Sequence, residues 1–304
     1  MTNPLTRVRK KGAVVLMALL CSQGATVLPA NAEATLRIGA IPDQNPERLN
    51  RRYGQLSAEL SDTLKVPVRY VPVSNYPAAV SAFRAGSLDL VWFGGLTGIQ
   101  ARLQTPGAQV LAQRAIDAKF NSVFIANTST ALQPIISIDG LKSLKGKRFT
   151  FGSESSTSGR LMPQHFMAQA GVTPKQFAGG QAGFSGSHDA TIALVQSGSY
   201  QAGALSEPVW NVAVKNGKVD PTKVKVIWKT PPFGNYHWVV RPNLDQRFGK
   251  GFTTKLQQAM FGLTPTSERQ KNILELFSAK RFIPAQESQY QPIEEVGRQL
   301  GKIR

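Results

Sequence analysis

The sequence of 304 residues is poor in thiols, imidazoles and acids, and each shortage removes a class of function. One cysteine, Cys21, and three histidines, His165, His188 and His237, supply neither a disulfide framework nor a thiolate metal site. The histidines show no metal-ligand spacing, there is no H-E-x-x-H pair, and Gly183-Phe184-Ser185-Gly186 falls short of a nucleophile elbow. Gly140 through Arg148 fails as a phosphate-binding loop because Arg148 stands where Ser or Thr is needed. No catalytic residue, metal or cofactor is therefore expected. Acids number 18 against 36 Lys and Arg, for a formal charge of +18. That excess fits an anionic partner. The bases are scattered, apart from Lys142, Lys145, Lys147 and Arg148, which speaks against nucleic acid and leaves small anions or an anionic membrane surface, with simple solubility as the plain alternative.

Long apolar runs are missing after the first 32 residues, so no bilayer span is expected beyond them. Residues 1–32 have the layout of a secretory signal: Arg7, Arg9, Lys10 and Lys11, an apolar core from Ala13 to Leu20, then Ala30-Asn31-Ala32 before Glu33. Removing those four bases leaves +14. A lipid-attachment reading of Ala18-Leu19-Leu20-Cys21 is weakened by the bulk of Leu20, so a soluble, exported protein beginning at Glu33 and free of cysteine is expected.

From Thr35 onward short apolar segments alternate with helix-like ones. Strands are expected at Leu36–Ala40, Val66–Val71, Leu88–Phe93, Ser122–Ala126, Arg148–Phe151, Ala202–Leu205, Val224–Trp228 and His237–Val240, and helices at Glu47–Leu64, Pro77–Ala85, Leu161–Ala170 and Asp189–Gln196. The order implies an α/β fold with a largely parallel sheet. The polar stretch after Ile125 and the segment Lys229 to Asn235 look like two crossings between lobes, which places lobe 1 at 33–127 plus 231–304 and lobe 2 at 128–230. A ligand would then sit in the cleft, with the two connectors as hinge.

The densest chemical signal is Phe149-Thr150-Phe151-Gly152-Ser153-Glu154-Ser155-Ser156-Thr157-Ser158-Gly159, a strand running through a hydroxyl-rich loop into a helix. A helix start carries unpaired N–H groups and the positive end of the dipole, so such a loop suits an anion. One hydroxyl there would be an ordinary N-cap; several exceed that need. Similar strand-to-helix junctions occur at Ser74-Asn75-Tyr76-Pro77, Trp92-Phe93-Gly94-Gly95, Ser187-His188-Asp189 and Leu205-Ser206-Glu207-Pro208, and together they offer many neutral donors to one cleft. His188 could donate to an anion with Asp189 orienting or capping, or could be a solvated helix-start residue; Tyr76 could reach a ligand or pack beside Pro77. Trp92, Phe93, Tyr236 and Trp238 read as core or cleft wall.

These segments resemble the type II periplasmic solute-binding proteins of the phosphate, phosphite and phosphonate import group, often called PhnD-like. The resemblance rests on Tyr76-Pro77, Ala85 through Gly94, Leu144-Lys145-Gly146-Lys147, Ser156-Thr157-Ser158-Gly159 with Pro163, and Ser187-His188-Asp189-Ala190. It implies a two-lobed periplasmic receptor, a monomer with no chemistry of its own, that closes on an oxyanion and hands it to the permease of an ATP-driven importer. It further implies ligand contacts from Tyr76, Ser156, Thr157, Ser158 and His188, with an aromatic residue of Trp92-Phe93 lining the pocket; Phe93 and Gly94 are taken as that strand end. Relatives tend to carry an aspartate on the returning crossover, a position placed here at Asn235. An amide donates as well as accepts and removes a carboxylate's repulsion of a dianion, which favours a selenate- or sulfate-like anion, with phosphite and phosphonates close behind. Aminoalkylphosphonates rank lower, since no carboxylate is evident for the amine. An enzyme or a sensory ligand-presenting protein on the same fold is the competing reading.

Overall fold

A computed structural model describes residues 34–304. The expected export signal, its cleavage site and Cys21 lie outside the described residues. The chain forms two mixed sheets with helices packed around them. The six-stranded sheet contains β1 (Leu36–Ala40), β2 (Val68–Tyr70), β3 (Leu90–Phe93), β4 (Gln109–Arg114), β10 (His237–Val240) and β11 (Phe282–Pro284), in the order β11-β4-β10-β3-β1-β2. The five-stranded sheet contains β5 (Ser122–Asn127), β6 (Phe149–Phe151), β7 (Gly183–Phe184), β8 (Ala202–Ser206) and β9 (Val224–Lys229), in the order β7-β6-β8-β5-β9. The helices are α1 (Pro46–Leu64), α2 (Tyr76–Arg84), α3 (Gly95–Leu103), α4 (Met162–Gln169), α5 (His188–Gln196), α6 (Glu207–Lys215), α7 (Leu244–Phe248), α8 (Phe252–Phe261), α9 (Glu268–Phe277) and α10 (Gln291–Gln299).

Local signals account for the helix starts. Asn45 caps α1 by accepting from Arg48 N at 2.9 Å, and Asn75 caps α2 by accepting from Ala78 N at 2.8 Å, each followed by Pro in the first turn. Ser187 and Ser206 do the same for α5 and α6. Along α1, Leu49, Tyr53, Leu56 and Leu60 recur at helical spacing and are buried against the six-stranded sheet's core, where Trp92, Trp238 and Phe277 pack as an aromatic cluster.

Two expectations are corrected. The sheets are mixed rather than largely parallel: β10 runs antiparallel to both β3 and β4, and β5 antiparallel to both β8 and β9. The cause is where these strands come from. Each arrives from the other sheet and enters at the end where its neighbours leave, so His237 pairs with Phe93 and Ser122 with Ser206. Secondly, Ser122–Asn127, assigned above to lobe 1, hydrogen-bonds with β8 and β9 in the second sheet. The two connections meet instead at Phe120 and Phe233, whose backbones exchange hydrogen bonds of 2.8 and 2.9 Å.

Candidate functional site

The carboxyl ends of β1, β3, β6 and β8 and the crossover before β10 converge between the two sheets. At the end of β6, Ser156-Thr157-Ser158 forms a wide, π-type turn: Leu161 N donates to Ser156 O at 2.9 Å, and the Ser156 hydroxyl caps Gly159 N at 2.9 Å. Such wide turns are uncommon and cluster at functional sites. All three side chains are buried. Their hydroxyls are only partly committed to the protein. Thr157 Oγ1 accepts from Leu96 N, at the start of α3 on the other sheet, at 2.8 Å, which leaves its own proton to donate elsewhere. Ser122 Oγ donates to Ser158 O at 2.7 Å and so holds the turn against β5.

Opposite this turn, glycine permits close approach. A Cβ at Gly94 would stand 3.2 Å from Thr157 Oγ1 and 3.5 Å from Asn235 Oδ1. Asn235 is fixed on three sides. Its N donates to Asp117 O at 3.0 Å, its carbonyl accepts from His237 Nδ1 at 3.0 Å, and its Oδ1 accepts from Gly95 N at 3.2 Å. Because Oδ1 is engaged, the amide Nδ2 is the free end; it is buried and has no protein partner. Asp117 in turn is locked by a buried two-pronged pair with Arg114, at 2.6 and 2.7 Å, and the Arg114 guanidinium lies over the rings of Trp92 and Tyr236.

His188 opens α5 and is fully buried. Its Nδ1 faces Ser206 N at 3.4 Å, a group that can only donate, so the ring proton sits on Nε2 and is given to Tyr236 Oη at 3.1 Å. Burial lowers the His188 pKa and keeps the ring neutral. Burial first, and the nearby Asp43 second, raise the Tyr76 and Tyr236 hydroxyls well above the ordinary tyrosine value, so both remain protonated donors. Tyr76 Oη is buried with no hydrogen-bond partner. The site therefore holds neutral donors from Tyr76, Thr157 and Asn235, while the space beside Asp43 is also lined by Arg48, Arg52 and Arg114.

Sequence reasoning passed over two residues. Asp43, three residues past β1, is 2 % exposed, and its Oδ1 is buried without a partner while its charge acts on Tyr76, Tyr236 and His188 together. Tyr236, taken above as cleft wall, places its hydroxyl on His188. The structure brings Tyr76, Gly94, Ser156, Thr157, Ser158, His188 and Asn235 to this region. It does not bring the Phe93 ring, which packs edge-on against Phe83 at 5.8 Å; the adjacent Trp92 is the aromatic that stacks on Tyr236, at 5.6 Å and 10°. A wider cavity lies elsewhere. It measures about 660 Å³ between α1, α6 and the end of α9, with Arg51, Lys215 and Lys280 on its walls, and none of the anticipated contacts lines it.

A family model described as the periplasmic substrate-binding protein of a phosphonate ABC transporter matches residues 38–290. The chain is 55% identical over 269 residues to the probable ABC transporter phosphite binding protein PhnD1 of Prochlorococcus marinus strain MIT 9301, covering 88% of this chain and 91% of that one. The structure of that PhnD1 in complex with methylphosphonate aligns with a TM-score of 0.87 and 54% identity, over 88% of this chain and 99% of the other. The phosphate-import protein PhnD of Mycolicibacterium smegmatis is 28% identical over 71% of this chain and 70% of its own length.

Proposed function

The chain belongs to the phosphonate family of periplasmic substrate-binding proteins of ABC importers, and from there we propose that its ligand is a small, partly protonated phosphorus oxyanion, phosphite or methylphosphonate. It is a binding protein and not an enzyme. One observation carries the choice of ligand: the hydrogen-bonding capacity that the site leaves unused. Tyr76 Oη and Asn235 Nδ2 are buried donors, and Asp43 Oδ1 is a buried acceptor, all without protein partners. Buried polar groups of this kind call for a complementary group. Two donors suit the bare oxygens of an oxyanion; the carboxylate oxygen suits a P–OH proton. Sulfate and selenate carry no proton at neutral pH and would set an oxygen against that carboxylate, so this reading ranks them below phosphite and methylphosphonate, against the order drawn from Asn235 alone.

Size supports the same choice. The space between Asp43, Trp92, Ser206 and Tyr236, which Arg48, Arg52 and Arg114 also line, is about 10 Å³, roughly one water molecule. A hydrogen or methyl substituent fits better there than an aminoalkyl chain. Paired backbones at Phe120 and Phe233 would serve as the hinge, the export signal would deliver the chain to the periplasm, and the closed form would pass its ligand to a membrane permease. Calorimetric titration of the refolded, ligand-free protein with phosphite, methylphosphonate, phosphate, aminoethylphosphonate, sulfate and selenate tests the reading. Tightest binding of phosphite or methylphosphonate is expected. A preference for sulfate or selenate would overturn it, and a preference for aminoethylphosphonate would reassign Asp43 to the ammonium group.

A further inference from the structure

The Ser-His-Asp segment does more than present His188. Asp189, next to it in the first turn of α5, reaches across to the other lobe: its Oδ2 accepts from Asn45 N at 2.8 Å and lies 3.4 Å from Asn45 Nδ2. Asn45 is the N-cap of α1, and its own Oδ1 is occupied by Arg48 N. One carboxylate thus stands at the amino ends of two helices that belong to different sheets, where both dipoles favour negative charge. Beside it, His188 N donates to Asp43 O at 3.0 Å. Three hydrogen bonds stitch residues 188–189 to residues 43–45, and none uses a side-chain atom assigned to the ligand.

We propose that Asp189 is a built-in anionic latch. It holds the α5 and α1 ends together when the lobes close, without touching the ligand, and so sets how fast the ligand leaves. The inference rests on the two-lobed receptor reading but not on which oxyanion is bound. Arg48 belongs to the same cluster: Asp189 and Asp43 both act on its guanidinium, against Arg51 and Arg52 on its own helix. Asp189 therefore also offsets like-charge crowding at the rim.

Two variants separate a latch from a merely structural acid. Asp189→Ala removes the acceptor; because the bonds it makes are charge-assisted, ligand dissociation should quicken by about tenfold or more. Asn45→Asp keeps an equally good N-cap for α1 but sets a second carboxylate against Asp189, so it should quicken dissociation while leaving helix content and thermal stability near those of the wild type. Asp189→Asn, which retains an acceptor oxygen, should fall between. Stopped-flow release of phosphite or methylphosphonate gives the rates, and small-angle scattering of the ligand-free proteins should show Asn45→Asp and Asp189→Ala to be more extended. Wild-type release rates together with wild-type scattering in both variants would overturn the latch. If the wild type bound none of these anions, the ligand reading would fall, and the scattering would still decide the latch.

Discussion

Replacing Asp43 by Asn tests whether the site reads a proton on its ligand. The two side chains have nearly the same shape, and the Asp43 backbone carbonyl that accepts from His188 N is untouched. Only charge and one acceptor change. In the wild type a P–OH donating to the buried Oδ1 makes a charge-assisted bond worth roughly 1.5–3 kcal/mol, against about 0.5–1.5 kcal/mol for the neutral bond an amide oxygen could still accept. Phosphite and methylphosphonate should therefore bind about tenfold more weakly. Sulfate moves the other way. Two unit charges about 4 Å apart repel by up to roughly 4 kcal/mol at an effective dielectric of 20, and recovering even a third of that would tighten sulfate about tenfold. The ratio of phosphite to sulfate affinity should then collapse by about a hundredfold, a change that neither unfolding nor general loosening can produce. Ligand-free Asp43→Asn should melt no lower than the wild type, because it removes a buried carboxylate oxygen that no protein donor satisfies. Calorimetric titration of both anions into both proteins gives the ratio. A ratio within about threefold of the wild type would refute the reasoning.

Thr157→Val keeps the shape but removes the hydroxyl, stranding Leu96 N at the start of α3 and deleting a donor; affinity for the preferred oxyanion should fall by about tenfold or more, and an unchanged dissociation constant would remove Thr157 from the site. His237 should make the protein sensitive to acid. Its Nδ1–H is held by Asn235 O and its Nε2 is buried without a partner, so burial lowers its pKa from 6.5 to about 3. The folded state thus takes up that proton less readily than the unfolded chain: the stability this contributes is complete above pH 6.5, is lost as pH falls, and by about pH 5 has dropped by about 2 kcal/mol. An NMR titration should find the His237 ring unprotonated down to about pH 5, whereas a midpoint near its ordinary value of 6.5 would refute the assignment.

Much of this architecture was legible because local chemistry dictates it. Asn75 with Pro77, Ser187 and Ser206 start helices at the junctions expected of them, and Ser156-Thr157-Ser158 stands out because it carries more hydroxyls than a cap requires. What escaped depends on distant partners. β4 ends in Gln113 and Arg114, polar residues that lack any strand signature and are buried only because Tyr290, Gln289 and Asp117 meet them. The direction of β5 and β10 follows from which sheet the chain has just left, a property of topology and not of composition. Asp43 looks like any loop acid in Ile41-Pro42-Asp43-Gln44. Its meaning comes from Tyr236 and His188, which lie about 190 and 145 residues further along and reach it only through the crossover and α5.

Neutral donors and arginines stand close together at this site, and the proposed selectivity gives them different parts. At long range the excess of Lys and Arg favours the approach of any small anion, as a summed field does whatever the anion's identity. At contact a free guanidinium would blur the choice, since it pairs with sulfate as readily as with phosphite. Of the arginines that line the space beside Asp43, Arg114 is neutralised by Asp117 and turned against Trp92 and Tyr236, and Arg48 is offset by Asp189 and Asp43. On the proposed reading, what discriminates at contact is a set of neutral hydroxyl and amide donors and one carboxylate, Asp43. Such a set gains little from charge alone and much from the match between donors, acceptors and the ligand's single proton, because leaving any buried member unpaired costs about 1–3 kcal/mol. On this reading attraction and discrimination would be carried by different residues, the first by the surface and the second by Tyr76, Thr157, Asn235 and Asp43, with His188 holding Tyr236 in place.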